Sequence, residues 1–490
     1  MSKEPVQQLT RKQENFSEWY NEIIELANLS DKRYPVKGMN VWTGYGWRIM
    51  RTIDELTRGY MDECGHEEVC FPLLISKDQF QKEADHIKGF DAEVYWVTHA
   101  GRNELDVPLL LRPTSETSMY PMFALWVRSH NDLPLKTYQV VNTFRYETKQ
   151  TRSFIRMREI HFFEAHTCHT DFEDAERQIQ EDLQVMKKLA EYLALPFILA
   201  KRPRWDTFPG AFYTIGVDTI MPTGKSLQLA SIHQYKTNFS EPYEIKYEDR
   251  NGEQQFAHQT TYGMSERLLG AIVGVHGDDL GLILPPRIAS YQAVIVPIPA
   301  KGKQEEVFEE AKKLKGELSG FRVQIDLADE RPGSKYFKWE RKGVPVRVEI
   351  GLRDMKKGQV VLVRRDTREK LFVKREEAAQ RLGELLETMQ ADMYARACEG
   401  QEKLIITVTD DHMKADGENK VLRFSFCGSE DCAQELEKDL GIKILGEAVD
   451  EMGVSIKPDE SLNGEYTGKP SCLVCGKPVP DTVTFGAKTY

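Results

Sequence analysis

VNTFRYETKQTRSFIRMREIHFFEAH, residues 141–166, is the stretch on which the reading of the chain turns. Two strand-like runs flank a polar loop, Thr148 to Ser153, and both carry arginine among aromatics. Side chains alternate along a strand, so Arg145 and Glu147 are expected on one face. On the return strand Phe154, Arg156, Arg158, Phe162 and His166 are expected to share a face as well. That is a cationic wall with aromatic plates in it. Guanidinium forks suit phosphate and carboxylate, and the ring of Phe154 suits the face of a base. The alternative is a solvated hairpin, but such hairpins usually mix lysine with glutamate rather than concentrate arginine among aromatics.

Toward the N-terminus, Leu109 to Leu111 reads as a buried strand that Arg112 and Pro113 break. Thr114, Ser115 and Glu116 then stand at the mouth of a helix, Thr117 to Val127. A hydroxyl followed by glutamate is a helix-capping signature, and a glutamate so placed could equally bind a substrate ammonium; both readings stay open. Earlier still, helical periodicity runs through Tyr45 to Met61 and stops at Gly65, followed by a short strand, Glu68 to Phe71, and Pro72. An amphipathic segment, Asn15 to Leu29, is expected to pack onto that core.

Toward the C-terminus, Asp174 to Leu193 is an amphipathic helix, and residues 197–256 are rich in strands of a mostly antiparallel sheet. Next comes GMSER, with Ser265 as expected N-cap and Arg267 in the first turn of an apolar helix. A cation there opposes the helix dipole, so Arg267 is a functional candidate. LPPR, 284–287, marks a linker to a unit of alternating strands and helices that closes with a helix over Glu376 to Ala397. The remainder carries Cys427-x4-Cys432 and Cys472-x2-Cys475, four thiolates suited to a closed tetrahedral zinc. The other cysteines, Cys64, Cys70, Cys168 and Cys398, are scattered and read as reduced thiols.

At 490 residues the chain has room for about three domains. A net charge of −11 argues against a generally basic nucleic-acid coat, so any such contact is expected to be a local track. No apolar leader follows Met1 and no run is long enough to span a membrane, so the cytoplasm is the expected compartment. There is no P-loop and no G-x-G-x-x-G, which disfavours the Walker and Rossmann ways of holding a nucleotide.

Three separated pieces now line up. The helix, strand and Pro72 resemble motif 1 of the class II aminoacyl-tRNA synthetases, the FRYE hairpin resembles motif 2, and GMSER with its helix resembles motif 3. More narrowly, RPTSET, TRSFIRMREIHFFEAH, the stretch Gln228 to Ser240, VHGDDLGLILPPRIA, ERPGSKYFKWERKGVPVRVEIGLRD and the four-cysteine unit ending at Tyr490 resemble prolyl-tRNA synthetases of the archaeal and eukaryotic type. The resemblance runs from about Trp19 to the last residue.

It implies an α+β fold: a class II antiparallel-sheet catalytic domain over 1–285, an α/β anticodon-binding domain over 286–400 and a small α/β zinc-binding domain over 401–490. The implied activity is ATP-dependent ligation of L-proline to tRNA(Pro) through prolyl-adenylate, with ATP, Mg2+ and a structural Zn2+, in a homodimer joined through motif 1. By the match, Arg145 and Arg267 are catalytic, and Arg145 bridges the proline carboxylate and the α-phosphate. Thr114 and Glu116 receive the imino group, while Phe162, His166 and His233 shape the ring pocket; without the match, a lone histidine on a strand is more often a core residue. Glu147, Phe154, Arg156, Gln228, Ser231, Ser265 and Arg267 meet ATP and its magnesium, with Phe154 and Arg267 sandwiching adenine.

The chain reads Ala230, Ser231, Ile232, His233 where many relatives have GTSH, so the histidine is kept and the backbone freedom of the glycine is not. Only about a hundred residues separate motifs 2 and 3, which leaves no room for a large editing insertion. A pocket sized for proline discriminates small apolar rivals by only about 10- to 200-fold, so misactivation of alanine or cysteine is expected. Arg347 and Glu340 are matched to the guanines of the anticodon or, alternatively, to each other as a surface ion pair, with Lys335, Lys338 and Lys342 as phosphate contacts. A non-catalytic tRNA-binding paralogue would be free to lose the arginines of the nucleotide site, and Arg145, Arg156 and Arg267 are all present.

Overall fold

The computed structural model describes residues 9–82, 93–147, 150–408, 419–457, 471–479 and 482–490. Helix α1 (Phe16–Leu26), capped by the Asn15 side chain, buries Trp19, Tyr20, Ile23 and Ile24. Helix α2 (Gly44–Glu63) buries Ile49, Met50, Ile53, Asp54, Thr57 and Met61 at helical spacing. The strand after it is shorter than its sequence suggests. Only β1 (Glu67–Glu68) forms a ladder, parallel to β2 (Leu135–Phe144). From there Val69 N–H still donates to Tyr138 O at 2.8 Å, but the Gln139 side chain takes over at Phe71, accepting its N–H at 3.0 Å.

Helix α3 (Glu116–Trp126) follows the RPT break. Strand β2 pairs antiparallel with β3 (Glu159–His169), helix α4 (Phe172–Leu193) crosses the sheet, and β4 (Ile198–Lys201), β5 (Tyr213–Ile220), β6 (Ser226–Lys236) and β7 (His258–Ser265) extend it. Helix α5 (Arg267–His276) leaves β7 and is buried along Leu268 to Gly274.

The second unit is a five-stranded sheet built from β8 (Ala293–Ile298), β9 (Val323–Ile325), β10 (Val346–Gly351), β11 (Gln359–Arg364) and β12 (Lys370–Lys374), in the order β9-β8-β10-β11-β12. Its helices are α6 (Gln304–Glu317), α7 (Pro332–Arg341) and α8 (Ala378–Glu402). The C-terminal unit supplies β13 (Ile405–Thr407), β14 (Val421–Phe424), α9 (Glu430–Leu440), β15 (Lys443–Ala448) and β16 (Thr484–Ala487).

These last strands do not stand apart. Among the described residues one 11-stranded sheet runs β13-β14-β16-β15-β4-β5-β6-β7-β3-β2-β1, joining the C-terminal unit to the catalytic core through β15 and β4. The joint is close: Glu447 pairs with Lys201 and Ala448 with Ala200, and Gly446, at φ +135, lies so near that an added Cβ would stand 2.1 Å from the Lys201 carbonyl oxygen. A side chain there would prise the two units apart.

The return arm of the hairpin departs from its expected form. Regular pairing begins at Glu159; residues 152–158 are a turn in which Ile155 N–H and Arg156 N–H donate to Arg152 O, at 3.1 and 2.8 Å. Phe154 has φ +61. Alternation of faces holds only for extended backbone, so it does not reach Phe154, Arg156 or Arg158. Thr148 and Lys149 of the loop lie outside the described residues.

Candidate active site

Strand β3 turns Ile160, Phe162 and Glu164 into a cleft of about 340 Å³, which is also lined by Arg145, Arg156, Arg202, Gln228 and Arg267 among others. At one end the Thr-Ser-Glu run sets two carboxylates side by side. Glu116 accepts from the Thr114 hydroxyl and, at 3.1 Å, from Tyr235 Oη. Ser115 makes no side-chain cap to α3 and donates to Glu164 instead, while Gln139 Nε2 donates to both Ser115 Oγ and Glu164 Oε1 at 2.9 Å. The hydroxyls that could have capped the helix thus hold acids in the cleft, which favours the ammonium-binding reading of this run.

Glu164 lies 3.2 Å from His166 Nε2, and both are buried. Burial opposes charge on each, but the pair holds the Glu164 carboxyl below and the His166 ring above their ordinary values. His166 does not line the cleft: it stands behind Glu164, with Nδ1 3.1 Å from Tyr120 Oη and 3.2 Å from Thr261 Oγ1. It positions the wall rather than forming it. His233 does line the cleft, between Thr214 Oγ1 (2.8 Å) and Ser231 Oγ (3.0 Å), and burial pushes its ring down to about 3, so it is neutral.

Arg145 faces these acids. Its Nε donates to Pro113 O at 3.1 Å, and burial lowers its pKa against the opposing pull of Glu116, Glu93 and Glu164. At the far end Arg156 pairs with Glu147 Oε2 at 3.1 Å and donates to Tyr490 O at 3.0 Å. Arg267, the first residue of α5, reaches Ile155 O at 2.9 Å and Gln228 O at 3.4 Å. Burial lowers its pKa, as does the nearby charge of Arg145. Three guanidiniums gathered into one concavity repel one another and suit it to an anion.

The site thus gathers Thr114, Glu116, Arg145, Glu147, Arg156, Phe162, Gln228, Ser231, His233, Ser265 and Arg267 from four separated stretches. Phe154 is not among them. It is 2% exposed, with its ring 4.7 Å from that of Trp42, because the turn at 152–158 directs it into the core. The apolar plate on the strand itself is Ile160. Ser265 ends β7 and its Oγ accepts the Arg267 N–H at 3.4 Å, while the N-cap position of α5 is Glu266, whose side chain makes no cap bond. Burial pushes the Glu266 carboxyl up to about 7, and its Oε2 has no hydrogen-bond partner.

Glu164 and Ile160 were readable by extending the alternation from Phe162 two residues each way. Arg202, Phe208 and Asp206 carry no local signal. Arg202 is fixed by distant partners, Asp218 Oδ2 at 2.7 Å and Leu445 O at 2.8 Å. Gly216 leaves room for its guanidinium, which would lie 2.1 Å from an added Cβ.

Two further centres are formed. The sulfurs of Cys427, Cys432, Cys472 and Cys475 all lie within 4.8 Å of one another, and backbone N–H groups of Cys475, Val474 and Cys427 point at Cys472. Four thiols so gathered, one of them already favoured as thiolate by amide donors, fit a tetrahedral zinc. In the second unit Arg347 is paired, Nη1 to Glu340 Oε1 at 2.8 Å and Nε to Glu349 Oε1 at 2.9 Å, with its guanidinium 3.9 Å from the Tyr336 ring centre. Lys335 is buried and donates to Asp326 O at 2.9 Å, which removes it from the expected phosphate contacts.

Three family models match the chain in succession: the class II tRNA synthetase core domain (G, H, P, S and T) over residues 95–276, an anticodon binding domain over 292–385, and the prolyl-tRNA synthetase C-terminal domain over 409–490. The chain is 52% identical to a proline–tRNA ligase of Pyrococcus horikoshii, with 97% of this chain and 98% of the relative covered. It is 51% identical to the proline–tRNA ligase of Thermococcus kodakarensis over the same shares, and 47% identical to that of Methanosarcina mazei over 97% of each. With the class II core, the gathered arginines and the cysteine centre all in place, the chain belongs to the prolyl-tRNA synthetase family of class II aminoacyl-tRNA synthetases.

Proposed function

We propose that the chain ligates L-proline to tRNA(Pro) at the expense of ATP, in two steps on the one cleft. A proline carboxylate oxygen attacks the α-phosphorus, pyrophosphate leaves, and the terminal ribose hydroxyl of the tRNA then takes the prolyl group as AMP departs. No protein nucleophile is needed; the work is alignment and neutralisation of spreading charge. The observation that carries this reading is the placement of Arg145 between the acid pair and the two outer arginines.

In this reading Glu116, held by Thr114 and Tyr235, receives the proline imino cation, Phe162 and His233 border the ring, and Arg145 draws carboxylate and α-phosphate together. Arg156 and Arg267 take the outer phosphates, with Gln228, Ser231 and Ser265 at the nucleotide. Magnesium supplies further neutralisation at those phosphates, where Glu147 and Gln228 offer oxygens. Ile160 replaces Phe154 as the surface facing adenine. The four cysteines hold zinc with no position left open, so that centre is structural. Residues 1–285, 286–400 and 401–490 serve as the catalytic, anticodon-binding and zinc-binding units. Base reading by Arg347 and Glu340 requires their ion pair to exchange for a guanine edge. The cytoplasm is the compartment this activity implies; no helix among the described residues is long and apolar enough to cross a membrane.

The test is ATP–pyrophosphate exchange with each amino acid. Proline should stimulate it most, with weak signals from alanine and cysteine; stimulation by threonine or histidine alone would overturn the assignment. In the same assay Glu116→Gln should raise KM for proline about 10- to 100-fold, the loss of one charge-assisted contact, and leave KM for ATP nearly unchanged.

A homodimer is supported by one apolar face beside motif 1. Leu73, Leu74, Met122, Leu125 and Trp126 are each 37–55% exposed, and the Trp126 ring lies 5.6 Å from that of Phe71. A second copy that covers this face removes it from water. Sedimentation velocity should give a dimer for the wild type and a monomer for a Leu125→Glu, Trp126→Glu variant; a monomeric wild type would refute it.

A further inference from the structure

The face of β3 turned away from the cleft carries a second buried polar contact. His161 places Nε2 3.0 Å from Asp54 Oδ1 and 2.9 Å from Asp54 Oδ2, joining β3 to the middle of α2. Both side chains are about nine-tenths buried. Its ring stands edge-on to Trp47 of α2, 5.1 Å between centroids, and 6.4 Å from Trp42. Trp42 in turn packs, tilted, against Phe154. The main chain of the same residue faces the other way: His161 O accepts the Glu266 N–H at 3.1 Å. Glu266 is the residue before Arg267, and Ile160 is the residue before His161.

One residue, held in place by its side chain, therefore bears on three things that meet at the nucleotide end of the cleft. Through its carbonyl it anchors the start of α5, from which Arg267 projects. Through its neighbour it sets Ile160. Through the tryptophans it steadies the turn whose Ile155 carbonyl holds Arg267 Nε. The Thr-Ser-Glu end of the cleft has its own supports, in Tyr235, Gln139 and His166, and none of these touches His161.

We propose that the Asp54–His161 pair is a positioning device for ATP: it ties helix α2 to the floor of the nucleotide half of the cleft and holds Arg267 and Ile160 in register, without contact to proline. This rests on the assignment of that half to ATP. A buried hydrogen bond of this kind is worth about a tenfold change in an equilibrium when lost.

A cleft of about 320 Å³, lined by Asn40, Trp42, Trp47, Asn142, Met157, Glu159 and His161, opens onto the ring and permits a direct test. His161→Ala should raise KM for ATP by about tenfold or more in proline-dependent exchange and leave KM for proline within about twofold. Added imidazole, entering that cleft, should return KM for ATP toward the wild-type value. Asp54→Asn, which keeps an acceptor oxygen, should stay close to wild type, whereas Asp54→Ala should match His161→Ala. Thermal melting shows which variants fold, and Asp54→Ala carries the test if His161→Ala does not. Equal rises in both KM values, an unchanged KM for ATP, or no response to imidazole would each overturn the proposal. Absence of proline-dependent exchange in the wild type would instead remove the reading on which it rests.

Discussion

Arg145→Ala should cut proline-dependent ATP–pyrophosphate exchange on the order of a thousandfold, the largest loss expected from any single substitution in the cleft. In the ground state two anions, the proline carboxylate and the α-phosphate, must approach within bonding distance, and Arg145, whose charge is felt by both Glu116 and Arg267, is the cation placed to meet both. As the new P–O bond forms, charge moves toward the leaving pyrophosphate and over the phosphoryl oxygens. A guanidinium preset at that point pays no reorganisation when the charge arrives. Arg145 is preset: Pro113 O holds its Nε, its backbone N–H donates to Arg158 O at 2.9 Å, and Glu116, Glu93 and Glu164 favour its charge.

Because the interaction strengthens in the transition state, the loss should appear mainly in kcat, with smaller changes in the two KM values. Arg145→Lys should recover little, since an ammonium cannot make the two parallel contacts of a fork. Pre-steady-state adenylate formation measures the step directly. A variant that folds, binds both substrates and still forms adenylate at the wild-type rate would remove Arg145 from the chemistry.

The reach of the sequence can be judged from particular residues. Glu116, Arg145 and Arg267 were legible because each breaks a local rule or sits beside a break: a proline turn, an arginine-rich strand end, a cation at a helix start. The four cysteines were legible because thiol spacing is a short-range signal. Phe154 was misplaced because period-two alternation was carried through residues 152–158, where the chain turns and Phe154 takes φ +61. His166 lies one layer behind the cleft surface, a depth the sequence does not show, since a face assignment says which side of the sheet a residue occupies, not how deep.

Lys335 could not be known to be buried from its neighbours in sequence. The Arg347–Glu340 pair was weighed against base reading from the sequence, and the ion pair is what the free chain forms. The union of the C-terminal unit with the catalytic sheet was invisible. It rests on a two-residue ladder between strands more than two hundred positions apart, on the Arg202–Leu445 bond and on backbone bonds that tie Ser226 to Lys488 and Tyr490. Local pattern carries no information about such a pairing.

That union makes the cysteine centre matter well beyond its own neighbourhood. Cys427 follows Phe426, whose ring meets Phe424 of β14 at 6.2 Å, and Cys432 is buried on α9. Cys472 and Cys475 return the chain toward β16. The unit has a small core of its own, Val408, Leu422, Phe424, Phe426, Leu436, Ile442 and Ile444 among its members, beside the Val421, Leu445 and Phe485 side chains that pack on Ile198, Ala200 and Ile220, and a core of that size gains much from a cross-link. Zinc held by the four thiolates would supply that cross-link; in small zinc-dependent folds the apparent contribution is about 10 kcal/mol or more.

Cys472→Ser should therefore unfold the C-terminal unit at temperatures where the class II core persists, giving an early step in thermal melting and rapid proteolysis beyond α8. Metal analysis should find one zinc per wild-type chain and a large loss in the variant. The consequence travels along the sheet. Without β15, Arg202 loses Leu445 O, and its guanidinium, one of the groups lining the cleft, keeps only Asp218 and the more distant Asp206, 3.9 Å away, as partners. Exchange activity should fall several-fold through KM, with the adenylate-forming step itself less affected, because Arg145 and Glu116 are anchored on β2, β3, β6 and α3. Wild-type melting and exchange in a zinc-free Cys472→Ser chain would show that the sheet holds the unit by itself and that the metal is dispensable to the fold.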